Sequence, residues 1–282
     1  MKQRILVIGA NSALAQDAIP VLAQNNTLVT AGKSGCDLYC DVTEVVHVPN
    51  SIDVVINFSA TFGGSDDAEM MEAQQTNSTG TLNICMAANR ASVSHVVLLS
   101  SLSAVIDKAS PYHSIYAITK RHADELATFY CDLHTIPLTI LRPSQIYGDA
   151  DSFKEHQPLF YEIIDRAQNG EDISIYGAHD ALRNYMHCAD LSQVLKRVIE
   201  KRVEGIYPCA YPSDITYSQI ARIAQKTFMK GGKVRFLKNK PNIPDNVFHF
   251  DSSLYERIGY QPRVSVEAGI RRVKRHREGV SK

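Results

Sequence analysis

Tyr116 and Lys120 stand four residues apart in "YAITKRHADEL", residues 116–126. In a helix that spacing puts both side chains on one face, one turn apart. A free phenol titrates near pH 10, so proton exchange near neutrality needs a pKa roughly 2–3 lower, about 3–4 kcal/mol. A neighbouring ammonium favours the phenolate and is expected to supply part of that fall. In isolation the same pair reads equally as a core aromatic beside a solvated lysine. What separates the two readings is whether the chain also carries a cofactor cradle and a substrate site.

The cradle has a candidate at the amino end. "RILVIGA" (4–10) is a short apolar run ending in glycine, the pattern of a strand buried on both faces of a parallel sheet. The stretch after it is Gly9-Ala10-Asn11-Ser12-Ala13-Leu14-Ala15. A dinucleotide fingerprint places three glycines there; here only Gly9, at the tight turn, is kept, and Ala15 still permits close helix–strand packing. Ser12 is the departure, because its Cβ crowds the approach of a pyrophosphate, although its hydroxyl can donate to one. The stretch also reads as a plain buried turn. Past it, where an NAD site places Asp or Glu on the ribose, the chain has Lys33 and Ser34 and no carboxylate. A cation suits a 2′-phosphate, so NADP is favoured over NAD, the alternative being a solvated loop lysine.

The elements that position these residues alternate. Strand-like "TLVTAG" (27–32), "DVVINFSA" (53–60), "HVVLLSS" (95–101) and "PLTILRPSQIYG" (137–148) are separated by helical stretches. Pro20 is expected to kink or shorten the first helix, and "EMMEAQQTNSTGTLNICMAANRA" reads as one long helix. Such alternation implies an α/β, Rossmann-like, doubly wound parallel sheet. Beyond Gly148 the loops are rich in Gly, Pro, Asp and His, which predicts a smaller, interleaved C-terminal substrate domain. The expected division is 1–147, with about 183–203 packing back, against 148–182 and 204–282.

With 282 residues, 44% hydrophobic and 21% charged, the chain is ordinary for a globular protein, and zero formal net charge gives nucleic acid or an anionic membrane no global attraction. The six cysteines form no C-x-x-C pair and no zinc spacing; Cys85 and Cys131 read as small core residues. No histidine lies in a metal-ligand spacing, so no metal is expected. No stretch approaches the roughly 18 apolar residues of a membrane span. A cytoplasmic protein with reduced thiols is expected.

Six motifs in order make the chain resemble the extended short-chain dehydrogenase/reductases, the NAD-dependent epimerase/dehydratase group, from Ile5 to about Arg272. They are "DVVINFSA", "NSTGTLNI", "VVLLSS", "YAITK", "LRPSQIYG" and "LRNYMHCADL". The resemblance implies that Tyr116 is the acid/base, Lys120 its partner, and Ser101, with Ser100 and Ser103 as rivals, the hydroxyl on the substrate's oxygen. It implies a cofactor site built from Gly9, Asn11, Ser12, Ala13, Leu14, Lys33, Ser34, Asp41, Val42, Phe58, Ser59, Ala60, Asn77, Tyr116, Lys120 and Pro143. Asn77 reads equally as a helix N-cap. Arg183 is implied to grip a nucleotide-sugar pyrophosphate, with a surface salt bridge as its alternative. His187 and Asp190 read as structural, fixing the loop and capping the next helix. The expected activity is reduction of a 4-keto nucleotide sugar by a homodimer with exchangeable NADP or NAD. The alternatives are a 4-epimerase with tightly held NAD, a steroid-like or flavonoid-like ketone as substrate, and a non-catalytic cofactor-binding regulator.

Overall fold

A computed structural model describes residues 2–280. β1 (Arg4–Ile8), α1 (Ala13–Leu22), β2 (Thr27–Gly32), β3 (Leu38–Tyr39) and β4 (Val54–Asn57) come first. α2 (Asp67–Ala73) passes through a π-helical turn, Gln74–Thr79, into α3 (Gly80–Arg90). β5 (His95–Leu99), α4 (Ile115–Leu133), β6 (Leu138–Pro143), β7 (Gln145–Tyr147), α5 (Pro158–Asn169) and β8 (Ile173–Tyr176) follow. Then come β9 (Leu182–Arg183), β10 (Tyr185–His187), α6 (Cys188–Lys201), β11 (Gly205–Cys209) and β12 (Ile215–Thr216). The last elements are α7 (Tyr217–Phe228), β13 (Val234–Leu237), α8 (Ser253–Ile258) and α9 (Val266–Arg277).

The chain divides into two units. The first runs to Pro143 and takes in Ser192–Cys209 and Ser252–Tyr260. Its strands lie in the order β11-β6-β5-β4-β1-β2-β3, every pair parallel. This is the expected doubly wound sheet, with the order reversing between β1 and β4, where ligands lie at the carboxyl ends of the strands. β4 and β5 are buried along their whole length, which is why they read as continuous apolar runs rather than alternating ones. The second unit, Ser144–Leu191, Ala210–Asp251 and the chain from Gln261, holds the pairs β10-β7, β12-β9 and β13-β8. Its core is aromatic: Tyr147, Phe160, Tyr161 and Tyr185 are buried in mutual contact.

Three local expectations change. "PLTILRPSQIYG" is two strands: β6 stays in the large sheet, whereas β7 pairs with β10. The first boundary therefore falls after Pro143 rather than after Tyr147. The returning segment is Ser192–Cys209 rather than 183–203, because β11 pairs with β6, and Ser252–Tyr260 returns as well. The long helix around Asn77 is interrupted by the π-helical turn, so Asn77 is internal to a helical run and caps nothing. Pro20 does sit in the last turn of α1, which ends two residues later.

His95 opens β5 fully buried, its Nε2 2.7 Å from the Thr139 hydroxyl. That hydroxyl donates to the Val203 carbonyl, so Nε2 carries the proton and the ring is neutral. Burial, helped by the Arg202 charge, lowers the imidazole pKa from 6.5 to about 4. The unfolded chain therefore binds a proton that the folded chain refuses as pH falls below 6.5. The stability this costs is complete near pH 4 and amounts to about 3 kcal/mol. Urea midpoints of wild type and His95→Gln from pH 7 to pH 4 should converge as pH falls. Parallel losses would remove His95 as the cause.

Candidate active site

The helix α4 begins cleanly because Ser114 caps it, its hydroxyl accepting from the Ala117 N–H at 3.3 Å. Tyr116, Lys120 and Asp124 then follow at one-turn intervals along one face. Lys120 is buried and donates to the Leu99 carbonyl at 2.9 Å, at the carboxyl end of β5. Its Nζ lies 5.9 Å from the centre of the Tyr116 ring. Ser101, two residues beyond β5, lies beside the Tyr116 phenol, and its hydroxyl accepts from the Ser103 N–H at 3.0 Å. Arg121 holds the turn that follows against α4, its Nε donating to the Ala104 carbonyl at 2.7 Å. Of the three serines in "SSLS", the structure thus brings Ser101 to the phenol, while Ser100 lies beside Asp124.

The electrostatics differ from the expected lowering of the phenol. Burial pushes Tyr116 up to about 12; the bond to Ser101 lowers it and the Asp124 charge raises it. Burial also pulls Lys120 down to about 8, against the pull of Asp124. Desolvation is the largest effect on the phenol, which is held protonated at neutral pH. Asp124 escaped sequence reasoning although its signal was present, one more helical turn past Lys120. It is buried, accepts from Arg142 Nε at 2.8 Å, and burial raises its pKa.

The expected cofactor residues lie at the carboxyl edge of the same sheet. Gly9 is required twice over: its φ is +73°, and a Cβ there would stand 2.6 Å from the Ser59 nitrogen. Ser12 is the N-cap of α1, accepting from the Ala15 N–H at 3.2 Å, which gives the missing glycine a structural reason. Asn11 donates to the Ser34 carbonyl at 2.7 Å, tying the turn after β1 to the loop after β2. Phe58 continues β4, its N–H reaching the Ile8 carbonyl at 2.9 Å, with Ser59 and Ala60 beyond it and Pro143 ending β6. Val42 packs under Gly80, where a Cβ would meet it at 2.7 Å. Lys33, exposed after β2, pairs with Asp41 at 2.9 Å. That lysine bond, the largest effect on it, holds Asp41 at a pKa of about 2.

Asn77 is buried and its amide grips Thr61, accepting from its N–H at 3.0 Å and donating to its carbonyl at 2.8 Å. It also donates to the Thr119 hydroxyl at 3.0 Å, next to Lys120 on α4. In the second unit Arg183 is buried rather than at the surface. Its Nε donates to the Tyr217 hydroxyl at 2.8 Å, and one terminal nitrogen donates to the carbonyls of Leu182 and Pro244 at 2.8 and 2.7 Å. His187 caps α6: its Nδ1 accepts from the Ala189 N–H at 3.1 Å. Asp190 instead accepts from the N–H groups of Arg263 and Val264 at 3.0 and 2.8 Å. Among the described residues no cluster of His, Cys, Asp and Glu could hold a metal, and no helix is long and apolar enough to cross a membrane.

The chain is similar to several known proteins. An uncharacterised protein of Methanocaldococcus jannaschii is 24% identical over 78% of this chain and 71% of its own. An Arabidopsis thaliana trifunctional UDP-glucose 4,6-dehydratase/UDP-4-keto-6-deoxy-D-glucose 3,5-epimerase/UDP-4-keto-L-rhamnose-reductase is 24% identical over 56% of this chain, which spans only 23% of its length. Among solved structures, the UDP-N-acetylglucosamine 4-epimerase of Bacillus cereus superposes with a TM-score of 0.82 at 16% identity, covering 96% of this chain and 98% of that one. The UDP-glucuronic acid 4-epimerase of Bacillus cereus, in complex with UDP-glucuronic acid and NAD, gives 0.80 at 18%, covering 99% and 100%. At those identities the structures share the fold. The profile of the NAD-dependent epimerase/dehydratase family runs over residues 5–211, from β1 past β11, and the chain belongs to that family.

Proposed function

We propose that the protein reduces a 4-keto nucleotide sugar with NADH. The observation that carries this reading is the Tyr116 ring, with Ser101 beside its phenol, 5.9 Å from the Nζ of a buried Lys120. A protonated phenol is a general acid, which is what the alkoxide formed by ketone reduction requires. Ser101 holds the substrate's reacting oxygen, Tyr116 gives that oxygen its proton, and Lys120 steadies the phenolate left behind. When bound, the nicotinamide supplies the hydride. The α1 terminus at Ser12, Ala13 and Leu14 fits a pyrophosphate. Lys120, with one of its three donors on Leu99, fits a ribose hydroxyl.

The Lys33–Asp41 ion pair counts against the expected NADP, since a 2′-phosphate would have to compete with a carboxylate already in place. NADH is therefore the proposed reductant. The epimerase is the second reading, favoured by the 4-epimerases among the similar folds. The experiment is NADH oxidation with UDP- and dTDP-linked 4-keto-6-deoxyglucose, alongside the cofactor content of the purified protein. Turnover with little bound cofactor is expected. One NAD retained per chain, with interconversion of 4-hydroxy epimers, would replace the reductase by the epimerase. Absence of both activities would leave a cofactor-binding regulator.

A further inference from the structure

Phe62 lies on the loop leaving β4, and its ring stands 4.9 Å from that of Tyr116, tilted by 39°. Half of its surface, 50%, is exposed. A single exposed aromatic is unremarkable on a surface. What distinguishes Phe62 is that the backbone on both sides of it is fixed. Thr61 before it is gripped by the buried Asn77 amide through both its N–H and its carbonyl. Gly63 after it has φ +64°, and a Cβ there would stand 2.8 Å from the Ala73 Cβ and 2.9 Å from the Ile115 side chain. Ile115 is the residue immediately before Tyr116 on α4. The ring is thus presented in register with the phenol by the helix that carries the phenol, and with only two side-chain torsions it loses little freedom on contact.

We propose that Phe62 is a specificity-determining residue, an apolar wall that selects a sugar bearing a methyl group, rather than an oxygenated carbon, on the carbon beside its reacting carbonyl. The inference rests on the reading of Tyr116 as proton donor. If the phenol meets the reacting oxygen, substituents on the adjacent carbons fall within van der Waals reach of a ring stacked on that phenol. A methyl group there buries apolar surface against the aromatic face. A hydroxymethyl or carboxylate would lose water against a surface that offers it no hydrogen bond. The substrate class is therefore a nucleotide-linked 6-deoxy-4-keto sugar rather than a hexose or a uronic acid. Discrimination of one such group by an apolar wall is about tenfold or somewhat more.

The test uses the full-length protein saturated with NADH, which cannot oxidise a 4-hydroxy sugar, so binding is measured without reaction. Glucose and 6-deoxyglucose diphosphonucleotides are titrated calorimetrically into wild type, Phe62→Leu and Phe62→Ala, in whichever of the UDP, dTDP and GDP series binds. Wild type should prefer the 6-deoxy sugar by about tenfold. Phe62→Leu should keep most of that preference and Phe62→Ala should bring the ratio close to one, while the bare diphosphate binds all three proteins alike. A merely structural Phe62 would shift every affinity together and leave the ratio unchanged, and that result overturns the proposal. An equal affinity of wild type for both sugars also overturns it, with the nucleotide-sugar reading intact. Failure of all three nucleotide series to bind would overturn both.

Discussion

Tyr116→Phe is expected to lower turnover by about 10²–10⁴ and to leave cofactor affinity unchanged. The substitution removes one oxygen. The ring keeps its place against Phe62, and Lys120 keeps its bond to Leu99. What disappears is the proton donor and the hydroxyl partner of Ser101. Lys120 adds a pH signature. Its pKa is lowered to about 8, so its charge is present below that value and is lost as pH rises through it. The phenolate formed on proton donation then loses its nearest cation, and turnover in wild type should fall on the alkaline side of about pH 8 although the phenol itself is still protonated. Residual turnover of Tyr116→Phe should lack that limb, because no phenolate forms. Single-turnover NADH oxidation across pH 6–10 measures both effects, and NADH fluorescence titration measures cofactor affinity. Near-wild-type turnover would remove Tyr116 from the chemistry.

The alternation of apolar runs and helical stretches made the large sheet legible, because parallel strands covered on both faces leave continuous rather than alternating patterns. The Tyr116–Lys120 spacing was legible for a similar reason: one helical turn fixes a shared face whatever the tertiary context. The same rule reaches Asp124, which was missed because a buried carboxylate has no local mark distinguishing it from a solvated one. The direction in which Tyr116 is shifted was not legible either. It depends on how much water the fold removes from the phenol, which is the largest effect on it. The split of "PLTILRPSQIYG" depends on the partner β10, some forty residues further on, so no periodicity within the segment could show it. Lys33 looked like an anion site until Asp41, across a turn, was found to hold it. In each case the hidden quantity is a long-range partner or the degree of desolvation.

The same lesson recasts Arg183. From its motif it is a phosphate ligand, but its buried guanidinium already spends three N–H donors on Tyr217, Leu182 and Pro244 and stacks 4.8 Å from the Tyr217 ring centre. Those bonds fix the guanidinium and its positive charge in place, and a fixed cation is what attracts a diphosphate. Arg183→Ala removes the charge-assisted contact, roughly 1.5–3 kcal/mol, or about 10–150-fold in nucleotide affinity. It also strands three protein oxygens, so thermal stability should fall as well, and affinity must be read on protein shown to be folded. Tyr217→Phe separates the two effects: it keeps the stacked ring and the positive charge and removes only the hydroxyl that steadies Nε. If Arg183 grips a diphosphate, Tyr217→Phe should weaken UDP, dTDP or GDP severalfold with a smaller loss of stability than Arg183→Ala, since one bond is lost rather than three. Arg183→Lys should recover only part of the affinity, because an ammonium keeps the charge but cannot make the three bonds that hold it in place. Titration of the three diphosphates into wild type and the variants, with NADH saturating, gives the comparison. Unchanged diphosphate affinity in folded Arg183→Ala and in Tyr217→Phe would make Arg183 a purely structural cation and bring the steroid-like or flavonoid-like ketone forward as the substrate.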